Sequence, residues 1–471
     1  MQTEISYGKS APLFEQVYES LGRQIMSGEM ASGARLPPSR ELARELGVSR
    51  STIVSAYDQL AAEGYIRARQ GSGYYVCDIE PVRPPDAHGQ VLPAFRPEPA
   101  QTRPLHPRPF TPGVPDMRLF PHAKWARHLS RTAKQSAEAM LAEEDGFGHP
   151  RLRAAIAGHL ASWRGIAADP ERILITAGAG DALDLSLRVL ASPGDGIGLE
   201  RPGYRPMLNL AQLYNLRPEW LDVEEEGAAL PGEAARMKTI ILTPSHQFPL
   251  GGAMSTGRRL AFLQYAARNN SLVIEDDFDS EFRFAGRPIP AMASLDDGRR
   301  VVYVGSFSKI FSSGLKIGFM VLPEHLVSDF NTALRKYGSR ASVAPQLPLA
   351  TFIEEGEFHR HIRRMRRIYG ERREAFVGML HKELENAARF SDNPAGMQIA
   401  LELADGVDDV RLSKAAQAAG VACSPLSTYY DGPRRKQGLL TGFSAFSPEE
   451  MEEPLKRLAA LIREAVTASS E

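Results

Sequence analysis

The chain has 471 residues, of which 43% are hydrophobic and 24% charged, with a formal net charge of -1 at pH 7. That length suggests roughly two to four domains, and that composition excludes a disordered or fibrous chain. The near-zero charge gives no bulk attraction to nucleic acid or membrane, so any DNA-binding surface must be local.

The opening "MQTEISYGKSAPLFEQ" has no basic region followed by an apolar run, so no signal peptide is expected. No apolar run approaches bilayer length. Two cysteines, Cys77 and Cys423, make neither a disulfide framework nor a metal-ligand cluster. They suit a reducing cytoplasm, the expected location.

Residues 13–76 read as a compact, mostly helical module. Leu13, Val17, Leu21 and Ile25 recur at i, i+4, which is one helix face, and Gly28 ends that helix. "PPSRELARELG" predicts a short helix closed by Gly47. "SRSTIVSAYDQLAAEG" predicts another, capped by Ser49 and closed by Gly64. "YIRARQGSGYYV" reads as a hairpin around Gly71-Ser72-Gly73. Residues 78–110 hold nine prolines and read as an extended linker with a reach of about 100 Å at ~3.1 Å per residue. Beyond it, the apolar runs "RILIT", "TIILTP", "SLVIEDD" and "VVYVGS" alternate with helical patterns, which predicts an α/β fold with a mainly parallel sheet.

Two short helices joined by "LGVSR" are a helix-turn-helix pattern. The second would lie in a major groove with Ser49, Arg50, Ser51 and Thr52 at its leading end. Arg40 opens the preceding helix, Arg67 and Arg69 flank the hairpin, and the Gly71–Gly73 tip has the slimness to approach a phosphate backbone. The pattern alone fits equally a helical module that never touches DNA. Taken together, however, "LPPSR", "LGVSRSTI", "AYDQLAAEGY" and "GSGYYV" resemble the winged helix-turn-helix of the GntR family of bacterial regulators. The resemblance covers residues 12–77. It implies binding to double-stranded operator DNA, with Arg40, Arg50, Thr52 and the wing Gly71–Gly73 as contacts.

"VGSFSKIFSSGLKIGF" places Lys309 at the end of a strand, among small hydroxyl side chains. One such lysine is commonly a snorkelling residue. Ser306, Ser308 and Lys316 alter the balance, because they suit a phosphate beside an amine that can form a Schiff base with a carbonyl compound. Pyridoxal phosphate needs such a lysine, an anion site and a carboxylate for its ring nitrogen. Asp276 and Asp277 end the strand "SLVIEDD", although Asp279 and Glu281 continue the run as a surface acidic cluster would. Gly178-Ala179-Gly180 precede a helix beginning near Asp181, whose N–H groups would bind an anion. Tyr204 in "LERPGYRP" offers a face for stacking, or ordinary packing.

These segments, with "TPSHQFPLGGAMS" and "IEDDFDSEFRFAGRPIPAMASLD", resemble the fold-type I aminotransferases, and more closely the MocR/GabR subfamily of GntR regulators. The resemblance spans nearly the whole chain. It implies a DNA-binding domain over residues 1–77, a linker over 78–110 and, over 111–471, an aminotransferase-like domain with large and small lobes. It further implies a homodimer, pyridoxal 5'-phosphate as cofactor, Lys309 as the aldimine lysine, Asp276 at the ring nitrogen and Tyr204 stacked on the ring. Gly178, Ala179, Gly180, Ser306, Ser308 and Lys316 would surround the phosphate, with His246 and Gln247 along the cofactor edge.

Four departures bear on function. Phe278 stands where the subfamily usually has a tyrosine that hydrogen-bonds the cofactor. Lys316 replaces an arginine, keeping the charge but losing the bidentate fork. No tyrosine occurs between Leu141 and Pro150. Leu439 and Leu440 occupy the region of the arginine that grips a substrate's α-carboxylate, with Arg434 and Arg435 nearby but out of register. The expectation is a regulator that senses the cofactor or an amine or amino-acid effector, with vestigial or absent aminotransferase activity. The rivals are an active aminotransferase carrying a DNA-binding module, and a regulator whose second domain only dimerises.

Overall fold

The computed structural model describes residues 12–79, 107–141, 146–232, 235–286, 289–385, 387–432 and 435–470. Most of the proline-rich segment, residues 142–145 and Arg434 lie outside the described residues. The chain divides into two compact units, 1–102 and 103–471.

In the first unit, helices α1 (Leu13–Met26), α2 (Ser39–Leu46) and α3 (Arg50–Ala62) precede a hairpin of β1 (Ile66–Arg69) and β2 (Gly73–Val76). Ile53, Ala56, Tyr57 and Leu60 fall on one face of α3 and are buried. They meet Val17, Leu21 and Ile25 of α1, together with Leu36, Leu42, Ile66 and Val76, in one apolar core. The expected ends hold. The Ser49 hydroxyl accepts from the Thr52 N–H at 3.1 Å, and Gly47 closes α2 with φ 67°. Gly71 and Gly73 both have positive φ at the tip of the hairpin, as its tight turn requires.

The second unit is built on eight strands: β3 (Ile173–Thr176), β4 (Gly196–Arg201), β5 (Arg217–Glu224), β6 (Gly227–Ala228), β7 (Thr239–Leu242), β8 (Leu272–Asp277), β9 (Val301–Ser306) and β10 (Gly318–Val321). Their spatial order is β3-β10-β9-β8-β7-β4-β5-β6. β9, β8, β7, β4 and β5 run parallel, whereas β10 is antiparallel to both of its neighbours. All four strands anticipated from the sequence are present. They are buried on both faces, which is why they read as continuous apolar runs and not as alternation. One core cluster gathers Leu174, Ile197, Ile274 and Val304, and another gathers Ile173, Ile175, Phe319 and the Trp125–Phe311–Phe352 aromatics.

The small lobe is an antiparallel sheet of β11 (Arg389–Phe390), β12 (Gln398–Glu402), β13 (Ser424–Pro425) and β14 (Gly438–Gly442), in the order β11-β12-β14-β13. One face, with Ile399, Leu401 and Leu439, packs against the helices Glu357–Leu384 and Pro448–Ser470.

β10 lets the ends of β3 and β9 come together. Gly318 pairs with Thr176 on one side and Ser306 on the other. A Cβ on Gly318 would lie 2.7 Å from the carbonyl carbon of Gly178 and 3.0 Å from Gly305 O, both backbone atoms that cannot swing aside. Gly318→Ala is therefore expected to destabilise the unit by about 1–3 kcal/mol and to displace the Gly178 turn. Chemical denaturation of the full chain, read against wild type, checks this.

Candidate functional site

Parallel sheets place ligand sites at the carboxyl ends of their strands. Here those ends carry Gly178 after β3, Glu200 and Tyr204 at and after β4, Thr243 after β7, Asp276 on β8 and Ser306–Lys309 after β9. The helix Ala179–Leu190 starts directly from Gly178, whose φ is 98°. The helix thus begins two residues earlier than the sequence pattern suggested, and Ala179 and Gly180 lie in its first turn. Ser306 and Ser308 face each other, with hydroxyls 2.9 Å apart, and the Ser306 hydroxyl also accepts from the Ser308 N–H at 3.1 Å. Lys316 has φ 51° at the end of a short 3-10 turn and is exposed.

Lys309 Nζ donates to the carbonyl of Gly113 at 2.6 Å. Gly113, in "TPGVPD", has φ 62°. A Cβ there would lie 2.7 Å from Lys309 Nζ and 3.3 Å from Gln398 Oε1. Neither is picked out from the sequence: the Pro-Gly step of "TPGVPD" could have marked Gly113, but nothing local marks Gln398, which arrives from the small lobe.

The acids are buried, not a surface cluster. Asp277 is clamped by Arg164 Nε at 2.8 Å and by the Tyr303 hydroxyl at 2.6 Å. Arg164 also holds Ser245 and the carbonyl of Ile289. Glu275 accepts from the N–H groups of Met292 and Ala293 at 2.9 and 2.8 Å. Asp276 differs: its Oδ1 is buried with no hydrogen-bond partner among the described residues. Burial, reinforced by Asp277, Glu200 and Asp279, pushes its carboxyl up to about 7 against the opposing effect of Lys309. Burial likewise raises Glu200 to about 7, although it accepts from Thr243 at 2.5 Å. A cationic ring nitrogen beside Asp276 would answer that orphaned oxygen, so these residues fit pyridoxal phosphate. Lys309 would meet its aldehyde, and the Gly178 turn with Ser306 and Ser308 its phosphate.

The remaining expected residues form an aromatic wall. Tyr204, 42% exposed, stands edge-on to Phe248 with centroids 5.6 Å apart. Phe248 in turn meets Phe278 and Tyr429. His246 Nδ1 lies 2.8 Å from Asp279, while its Nε2 is buried without a partner among the described residues. Gln247 donates to the carbonyls of Pro202 and Phe248, holding the turn instead of facing open space.

In the first unit, Arg40, Arg50, Ser51, Arg69, Gly71 and Gly73 are exposed. The Ser49 hydroxyl is committed to the α3 cap and lies 2.8 Å from the half-buried Thr52 hydroxyl. Arg50 Nε reaches Ser39 at 3.4 Å, and the Arg69 guanidinium stacks 4.6 Å over Tyr75. The leading turn of α3 and the wing thus offer cations, exposed backbone and small side chains.

Residues 13–76 match the family model described as bacterial regulatory proteins, gntR family, and residues 117–458 match aminotransferase class I and II. The chain is 38% identical over 458 residues to the probable rhizopine catabolism regulatory protein MocR of Rhizobium meliloti, covering 95% of this chain and 93% of that protein. The chain belongs to the MocR-type subfamily of GntR regulators. It is also 33% identical over 457 residues to the pyridoxine biosynthesis transcriptional regulator PdxR of Corynebacterium glutamicum, covering 96% of this chain and 95% of that one. Among solved structures, LysN, the α-aminoadipate aminotransferase of Thermus thermophilus, superposes with a TM-score of 0.70 at 27% identity, covering 76% of this chain and 92% of that chain. The MocR-type architecture accounts for both halves: a GntR module and a fold-type I aminotransferase-like unit with two lobes.

The buried acids generate a pH dependence. A carboxyl whose folded pKa is raised binds more protons folded than unfolded between the two values, so stability falls as pH rises through that interval. For Asp276 the interval runs from about 4 to about 7. Asp276 therefore takes thermal stability from the cofactor-free protein between about pH 4 and about 7, while His128, His359 and His361, lowered by burial, add stability as pH rises over part of the same range. Asp276→Asn should flatten that loss and raise the midpoint at pH 8, as differential scanning calorimetry across pH would record.

Proposed function

We propose that this protein is a transcriptional regulator. Its N-terminal unit binds operator DNA, and its C-terminal unit holds pyridoxal 5'-phosphate at Lys309 as the sensor of an amine effector. The observation that carries the reading is Asp276: a fully buried acid with an orphaned oxygen, in the same strand-end cleft as the Lys309 amine and a glycine-started helix. The gntR-family match, the regulators PdxR and MocR, and the LysN structure solved with N-(5'-phosphopyridoxyl)-L-leucine support it.

When bound, the cofactor supplies an electrophilic carbonyl and an electron-withdrawing ring. This chain's residues then bind and orient. Asp276 holds a proton on the ring nitrogen, Tyr204 covers the ring face, and the Gly178 turn with Ser306, Ser308 and Lys316 holds the phosphate. His246, fixed by Asp279, borders the cleft. The same residues argue against turnover. Phe278 presents an aromatic edge to Phe248 where a hydroxyl would tune the ring oxygen. Lys316 cannot grip a phosphate with two parallel bonds. Aminotransferase activity is accordingly vestigial or absent.

The domains run over 1–77 and 111–471, joined by residues 78–110, the last of which, Phe110, is already seated against Phe376 in the C-terminal unit, in a cytoplasmic homodimer that reads paired half-sites. An effector that prefers one arrangement of the two lobes shifts the population toward it, and the linker passes that shift to the DNA-binding unit.

Three experiments test this. Borohydride reduction followed by intact mass should show one cofactor adduct per chain, absent in Lys309→Ala. With amino acid and keto acid the holoprotein should show no sustained turnover. On an operator selected from a random duplex pool, Arg50→Ala should cost about 1–3 kcal/mol and relax specificity. Arg69→Ala should weaken binding to all sequences alike and lower the salt slope by about 1. Anisotropy titrations at several salt concentrations read both effects.

A further inference from the structure

We infer that the effector is a primary amine bearing no carboxylate on its amine-carrying carbon, a deepening that rests on the reading of Lys309 given above. The argument is the face that the small lobe turns toward Lys309. Alternation along β12 and β14 sends Ile399, Leu401 and Leu439 to the helical core. The opposite face therefore carries Gln398, Ala400 and Glu402 with Gly438, Leu440 and Gly442, and the register pairs Gln398 with Gly442, Ala400 with Leu440 and Glu402 with Gly438. Gln398 reaches the space beside Gly113 that also holds Lys309 Nζ. Leu440 is fully buried and packs with Ala400, Leu426 and Tyr430, with Phe248 and Tyr429 against them. Gly442 has no room for a side chain, because a Cβ would collide with the Thr111 carbonyl. The face opposite the amine is thus an amide, a methyl, an isobutyl group and bare backbone, and its one charged residue, Glu402 at the far end, is held by Lys436 at 2.9 Å.

The buried and half-buried guanidinium groups around it are committed elsewhere. Arg201 is bidentate to Asp222 at 2.6 and 2.9 Å. Arg164 clamps Asp277. Arg259 donates to the carbonyls of Met254, Pro290 and Pro244. Arg372 holds Asp116 and the Ser444 carbonyl. Arg205 is exposed and donates to Thr428 O at 3.2 Å. A carboxylate next to the reacting amine would therefore be buried against Leu440 with no buried, uncommitted guanidinium among the described residues to meet it, a costly arrangement. A neutral carbon substituent packs there instead, and the Gln398 amide serves a hydroxyl, giving and accepting a hydrogen bond.

The test compares matched probes on the cofactor-loaded full-length protein by isothermal titration calorimetry: ethanolamine against L-serine, and 2-phenylethylamine against L-phenylalanine. Each amine should bind about tenfold or more tightly than its amino acid. Leu440→Arg should reverse that order. Gln398→Leu, a milder change, should weaken ethanolamine more than 2-phenylethylamine. Amino acids binding as tightly as the amines to wild type would overturn the inference while leaving the cofactor reading intact, and loss of that amino-acid binding in Arg434→Ala would name the residue responsible. A protein that forms no borohydride-trapped adduct at Lys309 would overturn both.

Discussion

Buried negative charge at the strand ends is the constraint around which the C-terminal unit is arranged. Glu275, Asp276 and Asp277 are consecutive residues on β8, and all three are buried. Burying a carboxylate without a partner is costly, and burying three in a row requires separate solutions for each. Glu275 takes two backbone N–H groups, and Asp277 takes Arg164 and Tyr303. Asp276 lies between them with an orphaned oxygen and a carboxyl raised into the neutral range. The strand alternation that sends its two neighbours into internal networks is what turns Asp276 toward the cleft. A pocket that keeps such a group is suited to a cationic ligand atom, and the rest of the cleft is consistent with one.

The cleft is made by two lobes with different chemistry. The large lobe contributes acids, small hydroxyl residues, a helix N-terminus and Lys309. The small lobe contributes a face of Gln398, Ala400, Leu440 and Gly442 that carries no cation. Gly113 ties them together, because its carbonyl receives Lys309 while the space over its Cα also holds the Gln398 amide. A molecule seated between the lobes touches both. This is the physical requirement for an effector to favour one lobe arrangement over another.

The aromatic wall has a similar logic. Tyr204, Phe278 and Tyr429 each meet Phe248 edge-on, a geometry that puts ring hydrogens against ring faces. Phe278 fits this wall because it brings no hydroxyl to be satisfied. The residue that departs from the subfamily pattern therefore has a packing role of its own.

Much of this was legible in the chain before folding. The helical module showed in the spacing of Leu13, Val17, Leu21 and Ile25 and in Ser49, Gly47 and Gly64, because caps and apolar periodicity are local properties. The parallel strands showed as unbroken apolar runs, and Lys309, Asp276 and the Gly178 turn stood out because each ends such a run. The sequence by itself thus determined the elements and the residue types at their ends. It did not distinguish Leu439 from Leu440, reveal that Asp279 is joined to His246, or bring Gln398 and Gly113 to Lys309. Those facts depend on strand register and on contacts between segments far apart in the chain, and only the tertiary structure decided them, because packing and not local preference selects which neighbours meet.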